Sequence, residues 1–245
     1  MRLVFFGSGE FADTMLAALL DAGYAPALVV TRPPRRRRRR GQEEPTPVHR
    51  RAGQAGIEVD TPAKASAPEF LARLRAVGAE LFVVAEYGQI LCQELLDIPP
   101  QGAINVHGSL LPRHRGASPV VAALLAGDAV TGVTIQRVVR KLDAGPVLAL
   151  RETGILEDED AGRLTERLAG LGAELLVEVV SAFAAGRPPA ELEQDESKVT
   201  ICRKLTGADA ALDWSEPAQS LARRVRAMAP RPGAHTTLQR DPLLP

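Results

Sequence analysis

The sequence predicts an α/β fold built on a doubly wound, mostly parallel sheet, and three observations carry that prediction. Strand-length apolar runs alternate with stretches whose apolar residues recur at helical spacing. The runs are continuous rather than alternating, which marks strands covered on both faces. The first of them closes on a glycine loop that leads straight into a helix, the opening of a βαβ unit.

The first strand is "RLVFF" at 2–6, ended by Gly7. The helix over 10–22 turns Phe11, Met15, Leu16, Leu19 and Leu20 toward the sheet. "APALVV" at 25–30 is the second strand, and 46–55 is a helix with Pro45 and Pro47 near its start, where proline is tolerated. A short strand near 57–59 precedes a helix over 67–77 carrying Phe70, Leu71 and Leu74. "ELFVVA" at 80–85 and "GAINVHG" at 102–108 are two more buried strands, the latter followed by a helix over 117–126. "TGVTIQRVV" and "GPVLALRE" form an antiparallel pair across a short turn. A long helix over about 160–185 aligns Leu164, Leu168, Leu171, Leu175 and Val179 in one stripe. After Gly186 the texture turns polar and proline-bearing, with one short strand near 199–202, a helix over about 216–228 and an ending without periodicity.

With 245 residues, 45% hydrophobic and 24% charged, the chain can hold one large globular domain plus a smaller piece, divided at 186/187. The formal net charge of zero hides an asymmetry. Arg32 and Arg35 to Arg40 place seven positive charges in nine residues, so the rest of the chain sums to minus seven. Cys92 and Cys202 lie far apart with no metal-ligand spacing, which points away from a disulfide framework or a zinc site and toward a reducing cytoplasm. The N-terminal "MRLVFFGSGEFADTM" is broken by Gly, Glu10 and Asp13, so it is no signal peptide. No apolar run approaches the ~20 residues of a membrane span. A cytoplasmic monomer is expected.

The first glycine loop, "GSGEFA" at 7–12, fits the dinucleotide pattern G-x-G-x-x-A. A nicotinamide enzyme needs an acid at the end of strand two to hold the ribose, and "VVTRPP" offers none. Gly7, Ser8 and Gly9 are therefore read as a tight turn whose backbone approaches a substrate. The arginine loop "TRPPRRRRRRGQEEP" leaves the carboxyl end of strand two, the edge at which open α/β sheets bind ligands. It is either a solvated loop or an arm that offers guanidinium forks to backbone phosphates. With no aromatics interleaved, it suits a structured RNA better than stacked single-stranded bases.

"AINVHGSLLPRHRG" at 103–116 is the stretch that carries chemistry. Alternation puts Asn105 and His107 on one face at the end of a buried strand. An amide N–H can stabilise an oxyanion, and an imidazole can carry a proton near neutral pH. Asp143, in "RKLDAGPV" between two strands expected to return to the same edge, is the candidate third group. The bland alternatives are a satisfied core histidine and a turn-forming aspartate. The three offer no hydroxyl or thiol nucleophile and suit direct transfer of an acyl group to an amine. His49 and His114 read as surface residues, and His235 falls in the unpatterned tail.

These segments resemble the 10-formyltetrahydrofolate-dependent formyltransferases. "INVHGSLLPRHRGASP" is similar to the family signature, "TGVTIQRVVRKLDAGPVL" to its downstream segment ending in Asp-x-Gly, and "AEYGQIL" at 85–91 to its folate-pocket strand and loop. "FFGSGEFA", the basic loop before "PTPV", and "LDWSEPAQSLARRVRAMAPRPGA" at 212–234 look most like the branch that formylates methionyl initiator tRNA. The resemblance implies a Rossmann-like formyltransferase catalytic domain over 1–186 and, over 187–245, a linker and remnant of a C-terminal tRNA-binding domain. It implies 10-formyltetrahydrofolate as donor and methionyl initiator tRNA as acceptor. Asn105, His107 and Asp143 become catalytic residues. Tyr87, Gly88, Gln89, Ile90, Leu91, Ser109, Leu110, Leu111 and Pro112 become folate contacts. Arg32, Arg35, Arg36, Arg37, Arg38, Arg39 and Arg40 become the tRNA arm. No metal is implied. The rivals are a formyltransferase or formyl-hydrolase acting on a small amine, such as glycinamide ribonucleotide or an amino sugar, and a non-catalytic RNA-binding remnant. The family continues into a β-barrel that "TTLQRDPLLP" does not continue, so a truncated or frameshifted chain is expected.

Overall fold

The computed structural model describes residues 1–36 and 43–237. In chain order the strands and helices are β1 Leu3–Gly7, α1 Glu10–Asp21, β2 Leu28–Val30, β3 Arg35–Arg36, β4 Glu43–Glu44, α2 Pro47–Gln54, β5 Val59–Asp60, α3 Pro68–Val77, β6 Leu81–Ala85 and α4 Gln93–Leu96. They continue with β7 Ala103–His107, β8 Arg115–Gly116, α5 Pro119–Ala126, β9 Val130–Arg137, β10 Val147–Gly154, α6 Ala161–Ala184, β11 Ile201–Cys202 and α7 Ala218–Met228.

Seven strands make the main sheet in the order β10-β9-β7-β6-β1-β2-β5. Pairing is parallel from β7 through β6, β1 and β2 to β5, and antiparallel for β9 on β7 and β10 on β9. From β1 the chain winds outward to β2 and β5, then crosses back to β6 and β7. The order therefore reverses between β1 and β6, where doubly wound folds open a ligand crevice at the carboxyl ends.

The continuous apolar runs are explained by two cores. Leu3, Phe5, Val83, Ile104 and Val106 face the layer of α1, α2, α5 and α6. Val4, Phe6, Phe82, Val84 and Ala103 face α3 and α4. Local signals start and stop the helices. Thr46 caps α2 by accepting the His49 N–H at 3.1 Å, with Pro47 in the first turn, and Asp160 caps α6 by accepting the Arg163 N–H at 2.9 Å. Gly78 ends α3 in the left-handed region at φ 64°. Among the described residues no helix is long and apolar enough to cross a membrane.

Several expectations need correction. The second strand is Leu28–Val30, not 25–30, and the short fifth strand is shifted to Val59–Asp60. After Gly186 the chain returns to the first domain's strands: Leu192 bridges Val147, and β11 pairs in parallel with β8. His114 is 7% exposed, a buried residue rather than a surface one, and His49 is half-buried. His235, read as part of an unpatterned tail, exchanges backbone hydrogen bonds with Ala210 and Leu212 at 2.9 and 2.8 Å.

Candidate active site

The site is built on the face of β7 that its neighbours leave polar. Ile104 and Val106 enter the α1/α6 core, so Ala103, Asn105 and His107 share the opposite face. Register places Gln136 beside Asn105 and Thr134 beside His107. The Thr134 hydroxyl donates to the Ser109 carbonyl at 2.7 Å and accepts the Leu111 N–H at 3.1 Å, folding the "SLLP" loop over this face.

His107 is 6% exposed. Its Nε2 lies 2.9 Å from the His114 carbonyl, which can only accept, so Nε2 carries the proton. That leaves Nδ1 facing Asp143 Oδ2 at 3.7 Å, long for a hydrogen bond and within ion-pair range. Protonation of Nδ1 therefore sets an imidazolium against a carboxylate with its other N–H already satisfied. The Asp143 carboxylate is itself fixed, accepting from the Gln136 amide at 3.0 Å and the Gly116 N–H at 2.8 Å. Asn105 differs. Among the described residues its side-chain amide has no hydrogen-bond partner, so both N–H groups are available.

Asp143 reaches His107 from the opposite edge of the sheet to the one expected. The Val138 N–H donates to the Ala103 carbonyl, so the β9–β10 turn leaves the sheet at the amino end of β7, not at the carboxyl edge. Asp143 reaches the imidazole because the turn folds back over the sheet face, with Asp143 in the left-handed region at φ 48°.

The loop after β1 is spent on internal contacts. The Ser8 hydroxyl donates to the Tyr87 carbonyl at 3.3 Å and accepts from the Thr31 hydroxyl and the Arg32 N–H, each at 3.2 Å. It thus ties the ends of β1, β2 and β6 together. A Cβ on Gly9 would overlap the Glu86 carboxylate, which lies over the start of α1. Glu86 keeps contact with solvent, but its carboxyl is recessed. Burial pushes that carboxyl up, while Arg32 and the N–H groups of Ala12 and Phe11 pull it back.

Of the residues expected at the folate, Tyr87 packs its ring edge-on against Phe6 at 5.4 Å. Its hydroxyl is buried with no partner among the described residues, and burial pushes it up to about 12. Gln89 is committed, accepting the Ala65 N–H at 2.9 Å and donating to the Pro62 carbonyl at 3.0 Å. Ile90, 91% exposed, is an apolar side chain left open. The Ser109 hydroxyl donates to the Arg113 carbonyl at 2.7 Å, and Leu111 is buried. Of the expected tRNA arm, Arg37, Arg38, Arg39 and Arg40 lie outside the described residues. Arg35 and Arg36 form a short ladder with Glu43–Glu44. A Cβ on Gly88 would sit 3.3 Å from the Arg32 guanidinium, so Arg32 borders the crevice.

Sequence reasoning missed the residues behind the pair. His114 holds Asp128 Oδ2 at 2.7 Å through Nε2, and Arg113 holds Asp128 Oδ1 at 2.6 Å. Burial opposes ionisation of Asp128, but Arg113 and His114 outweigh it and hold the carboxyl below its usual range. The Cys202 thiol donates to the His114 carbonyl at 3.4 Å, and burial pushes it up. The only local hint was the basic "PRHRG", with an Asp 14 residues after its histidine.

The family model described as "Formyl transferase" matches residues 1–180, and "Formyl transferase, C-terminal domain" matches 204–244. The chain is 46% identical over 239 residues to the methionyl-tRNA formyltransferase of Methylococcus capsulatus, covering 98% of this chain and 77% of that one. It is 46% identical over 242 residues to that of Halorhodospira halophila, covering 99% and 77%. Among solved structures, the sugar 3N-formyl transferase WlaRD, crystallised with dTDP and 5-N-formyl-THF, superposes with a TM-score of 0.72 at 16% identity, over 93% of this chain and 78% of that one. Glycinamide ribonucleotide transformylase 1 from Symbiobacterium toebii gives 0.66 at 25% identity, over 79% and 94%.

Proposed function

The chain belongs to the formyl transferase family, and from that premise we propose how it works: it moves the formyl group of 10-formyltetrahydrofolate to the amino group of methionyl initiator tRNA. The observation that carries the mechanism is the uncommitted Asn105 amide on the same strand face as a His107 that lies 3.7 Å from Asp143. The amine lone pair attacks the formyl carbon, and the carbonyl electrons move onto the oxygen. Asn105 donates to that oxygen, and protonated His107 adds positive charge beside it. Asp143 sustains the imidazolium and takes the proton the amine loses. Collapse breaks the bond to the folate nitrogen, which leaves with a proton, so one proton passes from amine to folate overall.

The side chains around the crevice fit the donor. The Asn105 amide lacks a partner among the described residues, and Ile90 offers an open apolar surface, with Tyr87 packed beneath. Gly88, Leu91, Leu110 and Pro112 complete the proposed folate contacts. Arg32 and the basic loop through Arg40 are the proposed phosphate-contacting arm, with residues 1–186 the catalytic domain and 187–245 the linker and C-terminal part. The test offers methionyl-tRNA, glycinamide ribonucleotide and an amino sugar to the protein with 10-formyltetrahydrofolate. Methionyl-tRNA should be formylated by far the fastest, at a rate that falls steeply as salt rises. Faster formylation of either small amine, or a rate on tRNA indifferent to salt, would contradict the reading.

A further inference from the structure

Residues 191–202 lie between the two segments the family models match, yet they reach both members of the His107–Asp143 pair from behind. We propose that this segment is a strap, and that Gln194 and Thr200 are positioning residues for formyl transfer. The proposal rests on the catalytic reading of His107 and Asp143.

One arm of the strap acts on the histidine. The Thr200 hydroxyl oxygen accepts the His114 N–H at 2.8 Å, and the Thr200 carbonyl accepts the Arg115 N–H at 2.9 Å. His114 sits at φ 57°, a backbone conformation that residues with a side chain adopt rarely and that must be held from outside. The Thr200 carbonyl thus holds the His114–Arg115 peptide, whose carbonyl fixes the His107 tautomer, and the Thr200 hydroxyl holds the peptide on the other side of the His114 Cα, where it maintains that backbone conformation. Thr200 thus reaches the imidazole through the backbone on both sides of His114 without touching it.

The other arm acts on the aspartate. The two hydrogens of the Gln194 amide nitrogen are shared among three acceptors, the Gly145 carbonyl at 2.7 Å, the Asp143 carbonyl at 3.0 Å and the Gln136 amide oxygen at 3.1 Å. Its oxygen accepts from Nη2 and Nε of the buried Arg115 at 2.8 and 3.0 Å. An arginine can only donate, so the orientation of the Gln194 amide is fixed. Gln136, its oxygen occupied by Gln194, then turns its nitrogen to Asp143 Oδ1. The left-handed turn that carries Asp143 across the sheet face is held at two carbonyls and one relay by this single side chain.

Thr200→Val removes the hydroxyl at constant shape. Gln194→Glu keeps the acceptor for Arg115 and removes every donor to the turn. Each variant should lower kcat about tenfold or more, with KM for folate and methionyl-tRNA within about twofold. The ¹⁵N signals of the His107 imidazole should shift toward a mixed tautomer in Thr200→Val. Thr200→Ser should restore most of the rate, and Ser197→Ala, on the exposed side of the strap, should leave it unchanged. If Thr200→Val does not fold, Gln194→Glu is decisive by the same readings. Retention of kcat within twofold by both variants, with His107→Ala in the same assay losing more than about a hundredfold, would overturn the strap alone. An active His107→Ala would instead overturn the catalytic reading beneath it.

Discussion

Two loops at the carboxyl edge of the sheet carry suggestive motifs, and they use their polar groups in opposite ways. The loop after β1 has the spacing of a dinucleotide site, but its Ser8 hydroxyl binds three strand ends and Glu86 covers the start of α1. At the end of β7, His107 is fixed by the His114 carbonyl and faces an Asp143 anchored from the β9–β10 turn, while the Asn105 amide is left without a partner among the described residues. The contrast teaches that a spacing motif marks a tight backbone, whereas an uncommitted donor beside a fixed charge pair marks chemistry. Preorganised donors aimed at a developing charge are what acyl transfer requires.

The sharpest way to break the comparison is to add a methyl group to each loop. At Gly116 a Cβ would overlap the Cys202 carbonyl, part of the backbone, and the residue sits at φ 125°. At Gly9 the overlap is with the Glu86 carboxylate, the end of a flexible side chain. Gly116→Ala should cost about 3 kcal/mol or more and most of the activity, since the Gly116 N–H also holds Asp143. Gly9→Ala should cost about 1 kcal/mol, with turnover nearly intact. Thermal melts and initial rates on the two variants check this, and equal effects would erase the distinction drawn between the loops.

The fold was legible because its signals are local. "RLVFF" and "ELFVVA" are continuous apolar runs, and they are the central pair β1 and β6. Alternation in "AINVHG" was enough to place Asn105 and His107 on one face. Asp143 was legible by residue type and turn, but not by route, because the fold-back of its loop depends on Gln194, 51 residues away, as well as on nearby Gln136. Thr200 and Gln194 were not legible at all. They act across 86 and 51 residues on His114 and Asp143, from a polar stretch without periodicity. Long-range polar contacts leave no spacing pattern behind. The same holds for His114, whose burial depends on Asp128 and on a strand paired from the far end of the chain.

A smaller effect sharpens the picture of the layer behind His107. Asp128 titrates below its ordinary range in the folded chain, so its pairing with Arg113 and His114 adds stability at neutral pH. That contribution is present above the unfolded-state value and is lost as pH falls through the lowered folded-state value. Asp128→Asn should therefore cost about 1 kcal/mol at pH 7, with the gap to the unaltered protein closing in acid. Melting curves across that range measure it, and a gap that widened in acid would reverse the assigned sign.

The most direct measurement is the single-turnover formylation rate of Asn105→Ala with saturating 10-formyltetrahydrofolate and methionyl-tRNA. The account predicts a loss of about 10² to 10³, roughly 2.7–4 kcal/mol of transition-state stabilisation, with the melting temperature unchanged because the amide holds nothing else in place. A rate within about tenfold of the unaltered protein, less than ~1.4 kcal/mol, would contradict it.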